Sequence, residues 1–200
     1  MKTHTINTYS FNELSEQTKQ KVIEKMHDIN TSHEWHEPIY EGIFEDVKEK
    51  GFNIEDIYFS GFWSQGDGAM FEYSGIDNKL KEQFINGLKL SNMRKEWLKN
   101  NIYTSANGKH SGHYYHENCC NHVINWEIDN GDIPHYSNFR NWLESFNEDF
   151  EKFVIDIYKD ICRDIYKRLE KEYDYLTSKE AIIETIEANE YEFTENGNLY

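Results

Sequence analysis

The chain has only two prolines, three cysteines and no run of the roughly twenty apolar residues that a membrane-crossing helix needs. Scarce proline removes the usual linker composition, so a single α+β domain over residues 1–200 is the expectation. Cys119, Cys120 and Cys162 are odd in number and two are adjacent, a poor disulfide framework that fits a reducing compartment. Residues 1–10 carry no basic stretch followed by an apolar one, so a cytoplasmic location is expected. Basic residues are few as well. The 21 Lys and Arg stand against 37 Asp and Glu, giving a net charge of −16. Phosphate repels such a chain, which disfavours unaided binding to nucleic acid or an anionic membrane.

Aromatic residues are plentiful. With 14 Tyr, 12 Phe and 5 Trp, the chain has enough ring area to fill a core despite a mean hydropathy of −0.88. A short strand is predicted near residues 5–11, then a helix over 16–28 capped by Ser15, then a helix from about residue 34 to Gly51. Dense branched and aromatic residues over 52–63, the turn 64–68 and a strand over 69–73 predict a β-hairpin. Two short helices follow, over 77–90 and 92–101. Asn107-Gly108 and Asn130-Gly131 are hairpin-turn signals, and residues 110–129 between them read as a strand. Apolar residues stepping by three or four from Phe139 to Leu169 predict a long helix, breaking once near Asn147. Thr177 with Glu180 is spelled as a capping box for a last helix, and a final strand or turn follows. The fold class expected is α+β, an antiparallel sheet of hairpins packed against several helices, including a long C-terminal one.

Three groups of residues have the composition of a site. His110, His113, His116, Cys119, Cys120 and His122 combine imidazole and thiol, the ligands zinc selects. Their spacing matches no familiar metal site, which leaves His116, Cys120 and His122 as candidates by strand alternation and leaves half-buried strand residues as the plainer reading. Gly61 to Gly68 is glycine-rich but runs strand to strand and lacks the Gly-Lys-Ser/Thr ending of a phosphate loop. It is therefore read as a hairpin turn whose glycines allow positive φ, or alternatively as a loop that presents Trp63, Gln65 and Asp67 to a ligand or partner. Sixteen acidic and seven basic residues fall between Glu144 and Glu195, a local excess of nine and more than half of the net charge. Asp149, Asp156, Asp160 and Asp164 recur seven, four and four residues apart, near one face of the long helix. That stripe is read either as a solvated face or as a mimic of nucleic acid, interrupted by Lys159, Arg163 and Lys167. No order of nucleophile and base supports acyl transfer, and no cofactor is expected.

The stretches YSFNELS at 9–15, FSGFWSQGDGA at 59–69, YYHEN at 114–118, LEKEYDYLTSKEA at 169–181 and ANEYEFTENG at 188–197 resemble a family of small proteins encoded by bacteriophages, prophages and plasmids. Its members often carry the label of antitoxin of a toxin–antitoxin stability system. The resemblance implies a mobile-element origin and supplies no catalytic residues. For a small acidic phage protein it points to a non-enzymatic counter-defence inhibitor, such as an anti-CRISPR or anti-restriction protein. Its partner would be a host protein with a basic nucleic-acid-binding groove, met through Asp149, Asp156, Asp160, Asp164, Trp63, Gln65 and Asp67. The alternatives are a small-ligand binder that sequesters a nucleotide immune signal, stacking it on Trp63 or Tyr115, an antitoxin, and a metal-dependent enzyme.

Overall fold

The computed structural model describes residues 6–128 and 137–200 and is α+β, with antiparallel sheets and a long C-terminal helix. Its contacts fall into two compact units, Met1–Pro38 with Leu169–Tyr200, and Ile39–Arg168.

In the first unit, strand β1 (Tyr9–Ser10) pairs antiparallel with β6 (Glu192–Phe193), placing Tyr9 opposite Phe193. Helices α1 (Glu16–Lys25) and α6 (Lys179–Ala188) close a core of Phe11, Leu14, Val22, Ile23, Ile182, Ile186 and Phe193. Ser15 caps α1 as predicted, its hydroxyl accepting from the Thr18 N–H at 3.2 Å. The capping box reads one residue early. Ser178 is the cap of α6, accepting from the Ala181 N–H, while the Thr177 hydroxyl donates back to the Tyr173 carbonyl.

The second unit is built on a four-stranded antiparallel sheet in the order β2-β3-β4-β5: β2 (Phe52–Ser60), β3 (Gly68–Ile76), β4 (Ile102–His110) and β5 (Cys120–Ile128). Helix α2 (Glu37–Glu49) precedes it, ending beside Gly51 at φ 96°, a left-handed conformation that glycine adopts without strain. Helices α3 (Asn78–Gly87) and α4 (Asn92–Asn101) link the hairpins. The buried Lys81 of α3 donates to the carbonyls of Lys99 and Ile102 at 3.0 and 2.9 Å, satisfying acceptors that the end of α4 leaves open.

Helix α5 (Ser137–Leu176) is continuous through Asn147, where a break was expected, since no glycine or proline interrupts it there. Its buried stripe is Leu143, Phe150, Val154, Tyr158, Ile161, Cys162, Ile165 and Leu169, so Val154 and Tyr158 take the core positions expected of Phe153 and Ile157. Tyr158 seats the helix on the sheet. Its ring centroid lies 4.5 Å from that of Phe71, and its hydroxyl donates to the Phe71 carbonyl at 3.0 Å.

Two strand expectations are corrected. Asn107-Gly108 lies inside β4 and not in a turn, with Gly108 opposite both Tyr73 of β3 and His122 of β5. The glycine is required by packing: a side chain at Gly108 would overlap the Tyr73 ring and stand 2.8 Å from Cys120 Sγ. Residues 110–129 are likewise not one strand, because 111–119 form the loop between β4 and β5. Asn130-Gly131 lies outside the described residues. Gly108→Ala is expected to destabilise the protein by about 1–3 kcal/mol, the usual cost of overpacking. Its urea-unfolding midpoint, compared with that of Gly87→Ala, where nothing crowds the added methyl, checks this.

Candidate functional site

The turn between β2 and β3 has an irregular backbone, with three residues at positive φ. Gly61 and Gly66 have φ of 41° and 93°, as the glycine spelling predicts, but Trp63 also has φ 72°. A bulky residue in that region carries a backbone penalty of about 1–3 kcal/mol. The conformation is held from within. The Asp67 carboxylate accepts from the Ser64 N–H at 2.6 Å, the Asp67 N–H donates to the Ser64 carbonyl, and Phe62 is buried with its ring centroid 5.5 Å from that of Tyr166 on α5. Trp63 is thereby left 69% exposed beside a fixed neighbour. Of the three turn residues expected to meet a partner, Trp63 and Gln65 are exposed, while Asp67 organises the turn.

The loop 111–119 folds against this turn. The Tyr114 ring lies against Gly66, and the backbone at Tyr115 and His116 lies against Gly68, close enough that a side chain at either glycine would collide or crowd. Tyr114 itself is 58% exposed. The Tyr115 ring is stacked on Tyr58 at 5.1 Å and lies 4.9 Å from His110. Glu117 then ties the loop to α5 by accepting from Arg163 Nε at 3.0 Å, and Arg163 also donates to Asp160 at 3.1 Å. Turn, loop and the middle of α5 thus meet at one end of the sheet. Tyr114, Glu117 and Arg163 have no spelling that marks a site in the sequence, although YYHEN at 114–118 is one of the stretches that carry the family resemblance.

The aspartates of α5 differ in their state. Asp149, Asp156 and Asp160 are exposed on the side away from the buried stripe, and Asp164 is half-buried. Asp160 is paired with Arg163, and Asp164 with Arg168 at 2.8 Å, while Arg168 also bonds Asp46 at 2.5 Å. Part of the stripe therefore serves the protein's own arginines. The ion pairs of the described residues leave Asp149 and Asp156 facing solvent.

The metal candidates are divided by the loop. His116 lies in it, with Nδ1 accepting from the Asn118 N–H at 3.2 Å, whereas Cys120 and His122 are on β5 facing α5. Among the described residues no group of three or more His, Cys, Asp or Glu is placed to hold a metal ion. Cys120 and His122 are half-buried and belong instead to a polar cluster with the buried Tyr73, Tyr158 and Cys162. Burial pushes the Cys120 thiol up to about 11 and drives the Tyr73, Tyr158 and Cys162 groups up further. Burial, with a smaller contribution from Lys159, pulls His122 down to about 4, so the imidazole is neutral where its Nδ1 shares a hydrogen bond of 2.9 Å with the Tyr73 hydroxyl.

An unfolded chain protonates this histidine near its ordinary value of about 6.5, and the folded one only near 4. Below pH 6.5 the unfolded state binds more protons, so stability falls as pH drops through that window. His122→Gln is expected to remove this component. Between pH 7 and 5 its unfolding free energy should fall less than that of the native protein, by an amount of order 1 kcal/mol after allowance for partial exposure. Denaturant titrations at the two pH values measure the difference.

Among the described residues no helix is long and apolar enough to cross a membrane. No curated protein and no solved structure matches the chain. Residues 35–179, which include the sheet, the turn, the loop and all of α5, match the model of a domain of unknown function, and the chain belongs to that family, DUF8835.

Proposed function

We propose that this chain is a non-enzymatic inhibitor that binds a basic host protein, through the surface formed by Trp63, Tyr114 and the exposed carboxylates of α5. The observation that carries the reading is Trp63, held out of the fold at a strained backbone angle by a turn whose neighbour, Phe62, is anchored on α5. Strain of that kind persists only where surrounding packing enforces it, and exposed tryptophan and tyrosine are among the residues that dominate protein interfaces. The −16 charge supplies the complementary term, steering a basic surface toward the molecule. With the resemblance to phage- and plasmid-encoded proteins, the partner class is a defence effector with a nucleic-acid-binding groove, met in the host cytoplasm.

Asp149 and Asp156 give the cleanest test of the charge term, since reversing Asp160 or Asp164 also frees arginines that they hold. In pull-downs from host lysate with salt elution, the tagged chain should retain a basic nucleic-acid-handling protein. Asp149→Lys with Asp156→Lys, and separately Trp63→Ser, should each weaken that complex by about tenfold or more. Retention of the same partner by both variants at undiminished affinity would contradict the assignment of this surface.

A further inference from the structure

The two edges of the four-stranded sheet are built differently. β2 follows β3 through register shifts beside Ile54, and it carries Glu55 and Asp56, both exposed. Bulges and outward charges are the usual means of keeping a sheet edge from pairing with another chain. β5 has no such protection. Its nine residues pair with β4 in unbroken register, from Ile128 opposite Ile102 to Cys120 opposite His110, with no proline and one acidic or basic residue, Glu127. Among the described residues β4 is its only strand partner. About half of its backbone N–H and C=O groups therefore point away from the sheet, along an edge of roughly 30 Å.

The side chains of β5 match a second copy of the same strand. Its even-numbered residues lie on the side of α5, where Trp126 is buried with its ring centroid 5.1 Å from that of Phe150. Its odd-numbered residues lie on the open face, where Asn121, Val123 and Glu127 are exposed, Val123 to 53%. An antiparallel pair related by a two-fold axis through Ile124 brings even residues against even and odd against odd, so each face meets its like. Val123 then stands opposite Asn125 of the second copy, and Glu127 opposite Asn121, an amide that donates to a carboxylate. No two like charges face each other. The pairing also consumes both β5 edges and leaves the bulged β2 at each end of one continuous sheet, so association stops at the dimer. The net charge of −16 opposes a second copy, but at physiological salt charges beyond about 8 Å are screened, and the edge itself holds one carboxylate per copy.

We propose that the free edge of β5 is a dimer interface, pairing antiparallel with β5 of a second copy of this chain about a two-fold axis at Ile124. The assignment is independent of the surface that bears Trp63 and stands or falls separately. Sedimentation equilibrium of the full chain from about 1 μM to 1 mM tests it, with hydrogen exchange at low and high concentration and circular dichroism to check each variant's fold. The mass should rise toward that of a dimer, more so in high salt, which screens the net charge, and the amides of β5 should gain protection as it does. Asn121→Glu sets carboxylates opposite each other at both ends of the pair and should weaken the dimer about tenfold. Adding Glu127→Lys to that variant should restore the affinity by making each contact an ion pair. A monomer at every concentration, a dimer that salt dissolves or that forms without added protection of β5, unchanged affinity in Asn121→Glu, or no recovery in the double variant would each overturn the proposal. So would protection of β5 that appears only when a host protein is added.

Discussion

The seating of α5 on the sheet of the second unit rests on Tyr158. Its ring packs against Phe71 and its hydroxyl donates to the Phe71 carbonyl, in a setting where burial keeps the phenol protonated and therefore a donor. A buried hydroxyl without that acceptor is costly, so the bond fixes rotation and register of the helix where apolar contact alone would tolerate sliding. Neighbouring positions follow from it. Tyr73 lies beside Tyr158 and across from Gly108, His122 closes edge-on against the Tyr158 ring, and Cys162 fills the next turn of the helix. The same seating aims Tyr166 at Phe62 and Arg163 at Glu117, so an internal hydrogen bond determines which surface residues meet.

Most elements were legible from period and punctuation. The hairpin of β2 and β3, the cap at Ser15, the left-handed Gly51 and the length of α5 all follow from local chemistry. Legibility failed where a distant residue decided the outcome. Asn107-Gly108 has the spelling of a tight turn, yet the glycine answers a ring that arrives from β3, thirty-five positions earlier in sequence. The segment 110–129 alternates well enough to pass for a strand, but Gly112 at φ 112° and the Ser111 to Cys119 backbone bond fold its first part into a loop. The stripe of α5 shifted from Phe153 and Ile157 to Val154 and Tyr158 because the sheet supplies an acceptor for the phenol.

The site was legible as ingredients and not as an arrangement. Trp63 and the aspartates were visible in the sequence, but the strained angle of Trp63 and the loop beside it depend on tertiary contacts. Pairing also divides the acidic stripe in a way that spacing hides. Asp160 and Asp164 hold Arg163 and Arg168, while Asp149 and Asp156 face solvent. The stripe therefore offers a partner fewer unpaired carboxylates than its spacing suggests, and the exposed aromatics Trp63 and Tyr114 gain weight.

The central claim is that the turn bearing Trp63 and the acidic helix form one packed surface. A double-mutant cycle on Phe62→Ala and Tyr166→Ala, read by urea unfolding, tests it without reference to any partner. The account predicts a coupling of about 0.5–1.5 kcal/mol, as expected for two rings in contact. Effects that add to within about 0.3 kcal/mol would show that the turn is not seated on α5 and would contradict it.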